Sequence, residues 1–310
     1  MGFPIQNLAI IGAGAMGSGI AALFASRGLP VVLIDPVDGA LARAAAIIER
    51  QLGVYAPNDV AACLARIRME PGLQAAADCD LVIEAVPEKL DLKRQLFAQL
   101  DALCKPATVF ATNTSGLSIN AIAQAVSRRD RFVGMHFFTP ADVIPLVEVV
   151  RGDETSDATA DLAMAVLRAG GKRPVRVNRD IPGFIANRIQ HALAREAMSL
   201  LEKGVASAED IDEVVKWSLG IRLALTGPLE QRDMNGLDVH LAIVDYLYAD
   251  LENRVTPSDL LKRKVEAGEL GAKTGQGFYD WPAERRERVL REKSAALAAL
   301  VQWLNTQKLD

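Results

Sequence analysis

The chain carries no lysine before Lys89. Its N-terminal quarter therefore meets anions with arginine alone, and Arg43, Arg50, Arg66 and Arg68 are the cations of the stretch that follows the second strand pattern. Cysteine is as scarce, with only Cys63, Cys79 and Cys104. An odd number at these spacings fits neither a disulfide framework nor a zinc site, so we read them as buried thiols of a reducing compartment and expect no metal. No apolar run approaches the roughly 18 residues of a membrane span. The start of the chain shows no basic region followed by a long apolar core, and a cytoplasmic location is expected. A net charge of −4 with both signs dispersed argues against nucleic acid or an anionic membrane as partner.

What is present suits two globular domains. The 310 residues are 50% hydrophobic and 24% charged, enough apolar material for more than one core. "NLAIIGAG" (7–14) is an apolar run closed by glycines, "AMGSGIAALFASRG" (15–28) has helical spacing, and "LPVVLIDP" (29–36) is β-rich again. Strand, turn, helix and strand in about 30 residues is the size of a βαβ unit. Further strand patterns follow at 80–86, 108–113, 131–137, 145–150 and 173–177, with helical patterns at 38–52, 91–103 and 156–169. Strands apolar on both faces and alternating with helices predict a doubly wound α/β domain of the Rossmann type with a buried parallel sheet. After "RDIPGF" (179–184) strand patterns stop and helical ones begin, so we divide the chain into 1–180 and an all-helical 181–310. "SAEDIDEVVKWSLG" (207–220) opens with a serine cap and acids in its first turn. In the tail 284–310, Leu290, Leu297, Leu300, Val301 and Leu304 mark one helical face.

"GAGAMG" places Gly12, Gly14 and Gly17 between a strand and a helix, with Asp35 ending the next strand 23 residues after Gly12. Gly12 permits a tight turn, Gly14 lets the backbone approach a pyrophosphate at the helix N-terminus, and Gly17 permits close helix–strand packing. Ala15 and Met16 of the same turn join the candidate cofactor contacts. Asp35 can accept from both hydroxyls of the NAD ribose and would repel the 2′-phosphate of NADP. A glycine turn without ligand is the bland alternative; FAD would call for further motifs that the chain lacks.

His136 ends one strand pattern, and Glu148 is the lone acid of the next. The carboxyl edge of an open α/β sheet is where ligands bind. A carboxylate on one ring nitrogen fixes the tautomer, leaving the other nitrogen to take a hydroxyl proton while hydride leaves to a nicotinamide. Packing alone remains the plain alternative for the histidine, and an arginine partner for the glutamate. Ser115 lies just past a strand at the same edge, and Asn187 lies in the first turns of the helix that opens the second domain. His191 follows Asn187 by one turn, within reach of the cleft, and a satisfied helix histidine is the plainer reading of it.

"NTSGLSI" (113–119), "HFFTP" (136–140), "PLVEVV" (145–150), "DIPGFIANR" (180–188), "GPLEQRDMNGLD" (227–238) and "KTGQGFYDW" (273–281) stand in the order and spacing of the L-3-hydroxyacyl-CoA dehydrogenase family, which the chain resembles over about residues 5–282. The resemblance implies a Rossmann domain followed by a helical domain that forms a homodimer. It implies NAD as cofactor, His136 as general acid/base with Glu148 orienting it, and Ser115 and Asn187 on the substrate oxygen. It places Glu88, Lys93, Ser115 and Thr139 among the cofactor contacts, Glu88 and Lys93 at the nicotinamide ribose. The implied activity is reversible oxidation of a 3-hydroxyacyl-CoA at C3. The chain departs from the usual pattern at Thr139, where asparagine is common, at Pro145, where lysine is common, and in its missing N-terminal lysines. In "VPEKLDLKRQLFAQLD" (86–101), "IPLVEVV" and "NRIQHALAREA" it is similar to the branch that oxidises free 3-hydroxy acids, of the L-gulonate (lambda-crystallin) and carnitine type, whereas "HFFTP", "RDMNGLD" and "KTGQGFYDW" are similar to the CoA branch. Such a substrate would call for one cation, with Arg188 or Arg222 available. A protein that holds NAD without turnover would have lost catalytic residues, and the β-hydroxyacid dehydrogenases place a lysine where Asn187 stands.

Asp35 generates the first prediction. NADH should be strongly preferred to NADPH, and Asp35→Ala should narrow that preference by weakening NAD binding. Comparable kcat/KM with the two cofactors in the unaltered protein would refute it.

Overall fold

The computed structural model describes residues 2–56 and 58–307. The chain divides into two compact units, Met1–Arg188 and Ile189–Asp310. In the first unit the strands are short, and all but the edge strands β3 and β8 are mostly apolar: β1 (Leu8–Ile11), β2 (Val31–Ile34), β3 (Ile67–Glu70), β4 (Leu81–Glu84), β5 (Val109–Thr112), β6 (Phe132–Phe137), β7 (Leu146–Val150) and β8 (Arg173–Val177). Successive side chains of a strand point to opposite faces, and the central strands feed two cores. Leu8, Ile10, Leu81, Ile83, Val109 and Ala111 enter one cluster; Ala9, Ile11, Val82 and Phe110 enter the other. The first cluster is closed by α1 (Ala15–Ser26), α2 (Ala40–Tyr55) and α6 (Asp157–Ala169), the second by α4 (Leu90–Leu103) and α5 (Ile119–Ala123). The short α3 (Val60–Leu64) links α2 to β3.

The eight strands lie in the order β3-β2-β1-β4-β5-β6-β7-β8. The chain winds outward from β1 through β2 to β3, then returns to β4 on the other side of β1. The point where the winding reverses is the crevice in which open α/β sheets bind ligands. The sheet is mostly parallel, as the apolar strands predict, and its direction reverses once, where β7 runs antiparallel to β6. Only residues 138–145 join the two strands, and a parallel return needs a crossover of about a dozen residues or more. The half-buried edge strand β3, "IRME", escaped the sequence reading because its apolar pattern is weak.

The second unit takes up most of α7 (Ala186–Glu202) and adds α8 (Ala208–Val214), a single π-helical stretch at Val215–Gly220, α9 (Ile221–Leu223), α10 (Pro228–Asn235), α11 (Leu237–Leu247), α12 (Asp259–Glu266) and α13 (Ala283–Thr306). Ser207 caps α8 by accepting from the Asp210 amide, as its position ahead of the acids foretold. The last three residues of the 284–310 tail lie outside the described residues. Among the described residues after 188, no apolar side chain is buried. Trp217, Leu229, Met234, Leu241 and Tyr246 are each more than 60% exposed. No described helix is long and apolar enough to cross a membrane.

Candidate functional site

The turn between β1 and α1 is built for close approach. Gly12 has φ +106°, and a Cβ there would meet the Ala85 carbonyl oxygen at 2.7 Å; one at Gly17 would fall 1.8 Å from the Gly12 carbonyl oxygen. A Cβ at Gly14 would meet nothing within 4 Å. No side chain caps α1, so its first N–H groups face outward with Ala15 exposed and Met16 half-buried. This backbone suits a pyrophosphate. Asp35, half-buried, accepts from the Ala13 amide at 2.8 Å and the Val37 amide at 2.9 Å, which holds it beside the glycine turn. Thr139, from the loop after β6, donates to the Met16 sulfur at 3.2 Å. The structure thus brings Gly12, Gly14, Ala15, Met16, Gly17, Asp35 and Thr139 to one end of the sheet, and these residues fit NAD.

Ser115 lies just beyond the carboxyl end of β5. Its amide and hydroxyl both donate to Glu88 Oε1, at 2.9 and 3.1 Å, and Thr114 Oγ1 donates to the same oxygen at 2.6 Å. Burial raises the Glu88 carboxyl, but the Thr114 hydrogen bond, the Lys93 charge and the Ser115 amide outweigh it and hold Glu88 below the usual carboxylate range. Lys93, expected with Glu88 at the ribose, lies deeper than Glu88. It is 1% exposed, and its ammonium is taken up by Glu84 at 2.6 Å, by Glu88 at 3.3 Å and by the Val86 carbonyl at 3.3 Å. It sits behind Glu88, because the ion pair with the buried Glu84 draws it inward.

The antiparallel register sets His136 directly opposite Glu148. His136 Nδ1 and Glu148 Oε2 are 2.8 Å apart, and both side chains are buried. The other carboxylate oxygen, Oε1, accepts from the amides of Ile185 and Ala186, at 3.0 and 2.9 Å, where α7 begins. The chain reaches α7 through Gly183 and Phe184, with φ +75° and +50°, and this left-handed pair aims both amides at the carboxylate. Burial pushes Glu148 up; the His136 hydrogen bond and the two amides prevail and keep it below the usual range. An ionised carboxylate only accepts. Nδ1 therefore carries the proton of a neutral ring, and Nε2 is left as the base. Phe138 and Phe184 flank the imidazole with ring centroids at 4.4 and 5.7 Å. Asn187 Nδ2 donates to the Ser115 carbonyl at 2.7 Å, so the amide of the early α7 turn and the serine turn are in contact.

Sequence reasoning missed Glu84, Asn113 and Phe184. Asn113 accepts from the Phe137 amide at 2.8 Å and ties the ends of β5 and β6 together. Nothing in the residue types announced these roles, although the positive φ at Phe184 follows a glycine that could have flagged a tight turn. His191 is exposed and His240 half-buried, and both belong to the second unit. Arg66 donates to the Ala25 carbonyl and Arg68 pairs with Glu70, whereas Arg43 and Arg50 stand exposed on α2. Cys63, Cys79 and Cys104 are buried and free, and burial pushes Cys79 and Cys104 up to about 11, which leaves them as inert thiols.

Comparison with known proteins gives two family matches. Residues 7–181 match the NAD binding domain of 3-hydroxyacyl-CoA dehydrogenase and residues 183–281 match its C-terminal domain. A probable 3-hydroxybutyryl-CoA dehydrogenase of Deinococcus radiodurans is 42% identical over 285 residues, covering 89% of this chain and 100% of that one. The 5-formyl-3-hydroxy-2-methylpyridine 4-carboxylate 5-dehydrogenase of Mesorhizobium japonicum is 36% identical over 303 residues, covering 96% of this chain and 97% of that one. Among solved structures, a dehydrogenase of the latter activity, described as an NAD+-dependent dismutase, superposes with a TM-score of 0.92 at 35% identity over 98% of this chain and 100% of that one. The (S)-3-hydroxybutyryl-CoA dehydrogenase of Ralstonia eutropha gives 0.74 at 39% identity over 90% and 99%.

The histidine–glutamate pair makes a joint prediction. His136→Ala should lower kcat by roughly 10²–10⁴ with NADH affinity little changed. Glu148→Gln should also slow turnover, since an amide holds the ring but cannot stabilise imidazolium. A carboxylate with a depressed folded pKa stabilises the fold above its unfolded value and ceases to do so as pH falls through the folded one. Denaturation midpoints should therefore drop below the ordinary value of 4.5 less steeply in Glu148→Gln than in the parent. Wild-type turnover in Glu148→Gln across pH would refute the pairing.

Proposed function

The chain belongs to the 3-hydroxyacyl-CoA dehydrogenase family, whose members are NAD-dependent oxidoreductases, and on that premise we propose that it oxidises the C3 hydroxyl of a 3-hydroxyacyl-CoA reversibly to the ketone. The observation that carries this reading is the buried His136–Glu148 pair, with Glu148 held on its far side by two backbone amides. His136 Nε2 takes the hydroxyl proton as the carbonyl forms, and Glu148 stabilises the resulting imidazolium. Bound NAD supplies the hydride acceptor. Ser115 and Asn187, joined through the Ser115 carbonyl, would orient the substrate oxygen, and Glu88 would face the cofactor ribose. Relatives at about 40% identity that act on 3-hydroxybutyryl-CoA support the thioester substrate.

A second reading, a free hydroxy acid, has an observation of its own. A relative that matches over 96% of this chain carries the name of a pyridine carboxylate dehydrogenase, while the family match ends at residue 281. Phosphates of CoA would call for partners in water-poor contact, and on α2 only the exposed Arg43 and Arg50 are available. A free acid would call for one cation, with Arg188 or Arg222 as candidates. Steady-state NADH oxidation with acetoacetyl-CoA, set against oxidation or reduction of acetoacetate, L-gulonate, L-carnitine and the pyridine carboxylate, separates the two. The thioester should give the highest kcat/KM; no turnover with it alongside turnover of a free acid overturns the thioester reading.

The helical unit supports a homodimer. Its described apolar side chains remain unburied within one chain, and a second copy is the covering that a closed two-fold assembly provides. Light scattering at micromolar concentration should give twice the 33.4 kDa of one chain, and a monomer would refute the assembly.

A further inference from the structure

Beneath the Ser115 turn lies a ring of polar side chains that the proton transfer does not use. Glu84, Lys93, Thr112 and Thr114 are each at most 1% exposed. Glu84 Oε1 takes the Lys93 ammonium at 2.6 Å and the Val86 amide at 2.7 Å, and its Oε2 accepts from Thr112 Oγ1 at 2.6 Å. Thr112 Oγ1 accepts in turn from the Thr114 amide at 3.3 Å. Thr114 Oγ1 donates to Glu88 at 2.6 Å, and Lys93 closes the ring on the other Glu88 oxygen at 3.3 Å. Two carboxylates thus share one ammonium unequally, the buried one at 2.6 Å and the more exposed one at 3.3 Å. Burial drives the Glu84 carboxyl up against the pull of Lys93, so this carboxylate sits where it is costly unless paired.

We propose that Glu84 is a positioning residue for the reaction, acting through Lys93 and Glu88 on Ser115. By claiming the ammonium, Glu84 keeps it from drawing Glu88 inward. The Glu88 Oε1 atom is then free to hold the Thr114 hydroxyl together with the Ser115 amide and hydroxyl, and the Ser115 carbonyl stays in place for Asn187. Without Glu84, the nearest anion to Lys93 is Glu88. The ion pair would close there and pull the carboxylate off the serine turn. A buried pair contributes little net stability compared with well-packed apolar groups, which leaves positional specificity as the reason for this one. The proposal rests on the reading that Ser115 faces the substrate.

The test is a double-mutant cycle in the full-length enzyme, read by kcat/KM and by amide hydrogen exchange of residues 112–117 without cofactor or substrate. Glu84→Gln should lower kcat/KM roughly 10- to 100-fold and speed exchange of the Thr114 and Ser115 amides. Glu84→Gln combined with Lys93→Met should restore slow exchange of both amides, because the stray ammonium is gone. A merely structural role would instead make the two losses of amide protection add. Additive losses, or wild-type kcat/KM and exchange in Glu84→Gln, overturn the proposal. Should Glu84→Gln fail to fold, Thr112→Val decides: a loss of the same sign with faster exchange at 114–115 supports the ring, and wild-type behaviour overturns it. A wild-type rate in His136→Ala, by contrast, would sink the parent reading while the exchange data still judged the ring.

Discussion

The eight residues between Phe137 and Leu146 are the constraint on which the site depends. They are too few for a crossover, so β7 must return alongside β6 in the opposite direction. That return sets Glu148 across from His136 in register. The rest of the site is arranged around the same carboxylate. Its second oxygen receives the opening amides of α7, which fixes where that helix starts, and the start of α7 fixes where Asn187 stands relative to Ser115.

Much of this could be read from residue types alone. The glycine turn with Asp35, the strand-end His136 and the lone acid in "PLVEVV" are anomalies in apolar surroundings, and such anomalies mark function. The strand and helix patterns of the first unit were equally legible, since strands buried on both faces leave few alternatives. Strand direction was harder to read. Nothing in "PLVEVV" says which way it runs; only the length of the link does. The pairing of Lys93 with Glu84 was hidden for the opposite reason. A lysine in an amphipathic helix reads as a surface residue, and a glutamate ending a strand reads as its polar stop. Their pairing is a fact of three dimensions.

The two units differ in what one chain provides. The first closes two cores with its own helices. The second displays Trp217, Met234, Leu241 and Tyr246 on helices that an isolated chain leaves without cover. The candidate site is drawn from residues before 189.

The strand order also has a kinetic consequence. Neighbouring strands in the sheet follow one another along the chain except β1 and β4, where Leu8 meets Leu81. The entropy lost in closing a loop grows with the chain it spans, and non-local pairings set the pace of folding. The longest-range closure is thus the seam at which Gly12 packs under the Ala85 carbonyl. The cradle for the pyrophosphate does not exist until that seam has zipped. The dinucleotide is therefore a ligand of the finished sheet, and its capture reports that this seam has closed.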